Sequence, residues 1–292
     1  MKTPKRYQEY NQILLNKLSV FLNLEPDYIK GDKVEQIARD CGIDLQDAYC
    51  YLLANAMYMD LSESVVDREI FEDYFPYMVH EIDTDDYESD PYMLEVYLEN
   101  AVCADWEIKT GRYAPYEAFV YDDFKYYSDG RVISQIGYFT REYSYPVVCQ
   151  GGREWMLITP NEMNTMKGPI QRSHGRVLTF GLGLGYFAFM SARKDNVESV
   201  TIIERDSNVI KLFRANILPQ LSCRDKIRII RSDAFEYVQS QMAEDGYDYV
   251  FADIWHDPSD GVELYRRFKS VEHLMPSAEY DYWIEDTIKY YL

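Results

Sequence analysis

Arg176-Val177-Leu178-Thr179-Phe180-Gly181-Leu182-Gly183-Leu184-Gly185-Tyr186 is the stretch on which the fold turns. Its short apolar run, rich in β-branched and aromatic residues, predicts a buried strand. The run passes straight into three glycines at alternate positions, and Tyr186 to Arg193 predicts a helix. Glycines at such a turn let backbone bend tightly and approach a ligand closely, and a helix start offers free N–H groups. Ser199-Val-Thr-Ile-Ile-Glu204 then predicts a second strand that ends in an acid. Glu204 follows Gly181 by 23 residues, near the ~20 expected of a ribose-binding carboxylate in a nucleotide-binding βαβ unit. A turn whose glycines serve packing alone is the competing reading, and the acid at this distance argues against it.

The spacing also bears on which adenosine cofactor fits. Dinucleotide sites carry G-x-G-x-x-G, whose third glycine lets helix and strand pack closely beneath a pyrophosphate. Here the pattern is G-x-G-x-G, and Tyr186 stands where that third glycine would fall. Its side chain would crowd the pyrophosphate position. S-adenosylmethionine has no phosphates and does not require that geometry.

Composition limits the remaining classes. The 292 residues are 47% hydrophobic and 15% aromatic, with 28 Tyr, enough for a full core and two packed units. The net charge is −20, and it is uneven: residues 171–292 carry −4 and residues 1–170 carry −16. Such acidity repels phosphate backbones, so a nucleic-acid partner is disfavoured despite a local basic strip at Arg224, Lys226, Arg228 and Arg231. Five Cys (41, 50, 103, 149, 223) form no C-x-x-C pair and leave one over, which indicates neither a disulfide framework nor a zinc site. No metal is expected. Reduced thiols fit the cytoplasm. The basic N-terminus, Met1-Lys-Thr-Pro-Lys-Arg, has no apolar segment behind it and is not read as a signal peptide. The longest uncharged run, between Arg176 and Arg193, is too short for a membrane span.

Three regions are expected: an acidic α-helical region over 1–112, a small antiparallel β segment with a linking helix over 113–172, and a Rossmann-like cofactor-binding domain over 173–292. Apolar spacing predicts helices over 5–24 and 33–40, and Asp44 caps a third running to Met59. Residues 34–53 have the rhythm of a helix-turn-helix. The exposed side that would read DNA offers Asp44, Gln46, Asp47 and Asn55, so an ordinary helix pair is preferred. The acid-rich segment 81–90 reads as a solvated loop or helix lead-in, and 91–106 as helix. Asp129-Gly130 marks one hairpin and Gly151-Gly152 another, making one small sheet over 113–160. From 176 the alternation is regular. Strands are expected at 177–181, 199–204, 226–231 and 247–253. Helices are expected at 185–193, 207–221 (with Ser207 as cap), 234–242 and 261–274. The last segment, 279–285, is read as a fifth strand. This is a parallel α/β sheet covered on both faces.

Residues 176–255 resemble the class I S-adenosylmethionine-dependent methyltransferase fold. The resemblance rests on Gly181-Leu-Gly-Leu-Gly185, on Glu204, on Ser232-Asp233-Ala234 after the third strand, and on Tyr247-Asp-Tyr-Val-Phe-Ala-Asp253 as the fourth. It implies that the glycine turn, with Tyr186, meets the methionine part of the cofactor. It implies that Glu204, with Arg205 beside it, binds the ribose, and that Asp233-Ala234 contacts the adenine. The sequence stops soon after 285, without room for the family's closing hairpin. A β-rich segment before the glycine strand is similar to the spermidine synthase branch, which shows G-G-G-D-G-G and D-S-S/T-D-P. Here Leu184 replaces the aspartate of the first motif, and Asp253-Ile-Trp-His-Asp257-Pro258 has one residue too many for the second.

The function expected is S-adenosylmethionine-dependent methyl transfer to a small-molecule or protein acceptor. The alternatives are aminopropyl transfer to a cationic amine, which the acidic front half would suit, and a non-catalytic S-adenosylmethionine-binding module. Catalytic candidates gather at the carboxyl end of the fourth strand, where open α/β sheets bind ligands: Asp253, which could instead hold the cofactor's amino group, with His256 and Asp257. Asn161 and Glu162 are candidate substrate contacts by analogy of layout. A homodimer is left open.

Overall fold

The computed structural model describes residues 4–292; residues 1–3 of the basic N-terminal stretch lie outside the described residues. In chain order the first half holds α1 (Pro4–Leu24), α2 (Gly31–Cys41), α3 (Leu45–Ala56), α4 (Val65–Met78), β1 (Val79–Glu81), α5 (Thr84–Glu88) and α6 (Pro91–Glu95). Then come β2 (Ala101–Cys103), β3 (Trp106–Tyr113), β4 (Phe119–Tyr126), β5 (Val132–Tyr138), β6 (Tyr143–Gln150), β7 (Arg153–Leu157) and α7 (Pro160–Arg172). The second half runs β8 (Gly175–Phe180), α8 (Tyr186–Ala192), β9 (Val197–Glu204), α9 (Ser207–Asn216), β10 (Ile227–Arg231), α10 (Ala234–Ser240) and α11 (Met242–Asp245). It closes with β11 (Tyr249–Ala252), α12 (Pro258–Val271), β12 (Glu279–Tyr282) and α13 (Glu285–Tyr290).

Two compact units are interleaved in sequence. One comprises residues up to 85 and 112–144, the other 86–111 and 145–292. The first unit packs α1 to α4 on a three-stranded sheet of order β1-β5-β4. Its core is rich in aromatic rings, and Tyr49 stacks on Tyr138 at 3.8 Å between centroids. Asp44 caps α3 as expected, accepting the Asp47 N–H at 2.7 Å.

The second unit is built on a five-stranded, all-parallel sheet of order β10-β9-β8-β11-β12, the Rossmann-like arrangement expected from the sequence. Val177, Leu178, Phe180 and all of β11 are buried, as strands covered on both faces must be. Phe187 of α8 stacks on Phe251 of β11 at 4.1 Å, fixing that helix to the sheet. The winding direction reverses between β8 and β11. That switch point opens a crevice at their carboxyl ends, directly before Gly181 and Asp253. A second sheet, of order β2-β3-β6-β7, lies largely in this unit.

Several expectations are corrected. Residues 91–106 are not one helix: α6 stops at Glu95, and pairing with β2 draws Trp106 into β3. Residues 113–160 form parts of two sheets, and β1 joins one of them in parallel with β5. Helix α4 was not anticipated. The cap of α9 is Asp206, whose carboxylate accepts the Asn208 N–H at 2.7 Å, and not Ser207. That helix ends at Asn216, before a 3-10 turn containing Pro219. Gln241 breaks the expected 234–242 helix into α10 and α11. Helix α12 starts earlier than expected, at Pro258, because Asp257 and Asp260 close a capping box there. The final segment is strand and then helix, and β12 pairs with β11 as the fifth strand. Among the described residues no helix is long and apolar enough to cross a membrane.

Candidate functional site

The glycine turn is shaped by positions that reject side chains. Gly181 has φ +97°, and a Cβ there would lie 2.0 Å from the Asp253 carbonyl oxygen. The turn therefore sits against the end of β11, and the Asp253 N–H is fixed in turn by the Phe180 carbonyl at 3.0 Å. At Gly183, φ +47°, a Cβ would strike the Met156 sulfur, which accepts the Leu184 N–H at 3.4 Å. Gly185, φ +77°, faces the ring of Phe213.

Glu204 ends β9 and ties that strand to the turn. Its carboxylate accepts the N–H of Leu182 at 3.3 Å and of Asp206 at 2.7 Å. Burial raises its pKa, and those N–H donors offset part of the rise. Glu204, Arg205 and Gly183 line one cleft with Asp206, Trp106 and Trp155. The indole N–H of Trp106 donates to Asp206 at 3.0 Å, and the two indoles meet edge-on at 6.1 Å. The cleft thus pairs acceptor carboxylates at a strand end with aromatic walls over a bare backbone turn. That donor set fits an adenosine: its ribose hydroxyls can donate to the acids, and its flat base can lie on aromatic surface.

At the end of β11 a second cluster forms. Glu162, in the first turn of α7, is 7% exposed, and one carboxylate oxygen has no hydrogen-bond partner among the described residues. Burial raises its pKa, and the charge of Asp253 raises it further. Burial pushes Asp253 itself up to about 7. Two carboxyl groups that disfavour each other's charge are each pushed toward the protonated form. The Trp255 indole nitrogen and His256 Nδ1 are likewise buried without a hydrogen-bond partner. His256 Nε2 donates to the Glu154 carbonyl at 3.2 Å, and Nδ1 lies 3.5 Å from the Asp257 carboxylate. Buried polar atoms left unmade cost about 1–3 kcal/mol each, and such groups are where a ligand supplies the missing bond.

Other sequence candidates have structural occupations. Asp257 accepts the Ser259 N–H at 2.7 Å as the cap of α12, and Asp233 accepts the N–H groups of Phe235 and Glu236 as the cap of α10, beside nearly buried Ala234. Tyr186 is buried, and its hydroxyl donates to Asp90 at 3.0 Å. Asn161 is half-buried beside Glu162, and its carbonyl accepts the Thr165 hydroxyl at 2.7 Å. Sequence reading missed Asp206, Trp106, Trp155, Met156 and Trp255. The Glu204-Arg-Asp206 run was the one available signal, since paired acids at a strand end can share a ligand. Among the described residues no group of three or more His, Cys, Asp or Glu could hold a metal ion.

Comparison with known proteins found no match among curated proteins. A family model described as the spermine/spermidine synthase domain matches residues 161–275. Among solved structures, the spermidine synthase from Thermotoga maritima aligns at 20% identity over 49% of this chain and 57% of that one, with a TM-score of 0.32. A spermidine synthase in complex with the transition-state analogue AdoDATO aligns at 21% identity over 45% and 52%, with a TM-score of 0.31. The O-methyltransferase from Bacillus cereus in complex with SAH aligns at 18% identity over 33% and 44%, with a TM-score of 0.25. The chain spans about half the length of these solved chains.

Proposed function

We propose that this chain is an S-adenosylmethionine-dependent transferase and that the group it moves is methyl. The observation that carries the reading is the glycine turn with Glu204 beside it, opening at the switch point next to Asp253. Glu204 and Asp206 would hold the ribose, with Trp106 and Trp155 flanking the adenosine. When bound, S-adenosylmethionine supplies a sulfonium whose attached carbon is open to in-line attack. The residues then have to position the acceptor and take its proton. Asp253, whose pKa burial raises to about 7 and whose charge Glu162 feels, supports that second role, and an acceptor N–H or O–H beside it would lose its proton to the ionised carboxylate.

Leu184 favours methyl over aminopropyl. It is buried and apolar at the position where an aspartate would face a cationic aminopropyl end. The match to the spermine/spermidine synthase domain and the carboxylate pair support aminopropyl transfer to a cationic amine as the second reading. Calorimetric titration separates them. S-adenosylmethionine and S-adenosylhomocysteine are expected to bind in the micromolar range, and NAD not at all. Tighter binding of decarboxylated S-adenosylmethionine moves the assignment to aminopropyl transfer, and tighter binding of NAD than of S-adenosylhomocysteine overturns it.

A further inference from the structure

Gly183 lines the cleft proposed for the adenosine, yet the side of it where a side chain would begin is taken by the thioether of Met156. The Met156 sulfur also accepts the Leu184 N–H at 3.4 Å, so it covers the turn at two successive residues. The cleft itself has a volume of about 100 Å³. Sites that enclose a drug-sized ligand run to ~300–1,000 Å³. A ligand that continues past its ribose needs more room than this cleft supplies, and along the turn from Gly183 the side chain in its way is Met156.

The setting of Met156 allows its side chain to leave. It lies in β7, an outer strand of the β2-β3-β6-β7 sheet, with β6 on one side and no strand on the other among the described residues. Arg153, Glu154 and Trp155 before it are exposed, and the Glu154 carbonyl is tied across by the His256 Nε2–H at 3.2 Å. Ile158 after it is fully buried, and its N–H reaches the Pro146 carbonyl at 2.9 Å. The backbone around Met156 is therefore anchored on both sides, while the side chain stands where exposed strand passes into buried strand.

Methionine suits a group that must fill this place and still give way. A thioether sulfur is only a weak acceptor, and the side chain is unbranched and flexible. A leucine would fill the same space and leave the Leu184 N–H unpaired, whereas an oxygen acceptor would hold that N–H against any incoming ligand. We propose that Met156 is a displaceable plug of the cofactor site, and that a ligand with an acceptor tail past its ribose enters by taking the Leu184 N–H and turning the thioether out. This rests on the assignment of the cleft to an adenosyl cofactor. A ligand that ends at the ribose leaves Met156 in place, so this residue sets the difference in affinity between ligands with and without the tail.

Calorimetric titration of the full chain with adenosine and with S-adenosylhomocysteine, on the unaltered protein and on Met156→Ala, tests this. Met156→Ala should tighten S-adenosylhomocysteine about tenfold or more and leave adenosine within about twofold. A second readout needs no variant. Under mild peroxide, the share of Met156 converted to its sulfoxide, read by peptide mass spectrometry, should rise several-fold with S-adenosylhomocysteine present and stay unchanged with adenosine. Unchanged or weaker S-adenosylhomocysteine binding in the folded variant overturns the plug and leaves the adenosyl cleft standing. So does an equal gain for both ligands, or protection of Met156 from peroxide by S-adenosylhomocysteine. Failure of both ligands to bind either protein overturns the assignment of the cleft, and the plug with it.

Discussion

Asp253 is the residue on which the proposed proton transfer rests, and both of its backbone groups are committed. Its N–H is held by Phe180 and its carbonyl is pressed against Gly181, so its position at the strand end is set by two neighbours. Asp253→Asn keeps the shape and removes the charge. We expect this variant to fold, to bind S-adenosylhomocysteine within about tenfold of the unaltered chain (~1.4 kcal/mol), and to lose about 10²-fold or more in turnover. Unaltered turnover would remove Asp253 from proton transfer, and lost binding in a folded variant would make it a cofactor contact. The carboxyl end of the fourth strand was legible as a candidate site because Tyr-Asp-Tyr-Val-Phe-Ala leads to it. The partnership with Glu162 was not, since it depends on which side of α7 turns inward, and that helix is interrupted by Pro169.

The strand–turn–helix element allows almost no variation. At Gly181 a methyl group would meet a backbone oxygen, which cannot move aside as a side chain can. Gly181→Ala is expected to cost about 2–4 kcal/mol, through overpacking and through a positive φ, and to abolish adenosyl binding. Gly183→Ala meets only the flexible Met156 side chain, so it should cost less stability than Gly181→Ala. Chemical denaturation of both variants checks the order, and equal losses would refute the backbone clash. This element was readable because each of its glycines takes a positive φ, which the turn demands locally. Elements set by distant pairing were less legible. Strand β2 is three residues long and exists because β3 lies beside it, so 91–106 carried a helical look that the fold overrides. Helix α4 contains Pro76 near its end, which broke the pattern in the sequence although the helix continues to Met78.

Over the whole molecule, a net charge of −20 means that acidic groups dominate how stability responds to pH. Most of those groups are solvated, but Glu162 and Asp253 are not, and both have pKa values raised by burial. In the unfolded chain they ionise at about 4. In the folded chain Asp253 keeps its proton up to about pH 7 and Glu162 is shifted the same way, so from about pH 4 upward through that range the native state binds more protons than the unfolded one. Stability from this pair must therefore fall as pH rises through that window and level off once the native pair has ionised as well. Below the window both states are protonated and the pair costs nothing. Asp253→Asn is expected to exceed the unaltered chain in stability at about pH 8 by at least ~1.4 kcal/mol, the equivalent of one pKa unit, and Glu162→Gln to move in the same direction, with no advantage for either at about pH 4. Unfolding curves at the two pH values measure this directly. An advantage of equal size at both would mean that the substitutions act through packing, and the raised pKa values of the pair would have to be abandoned as the cause.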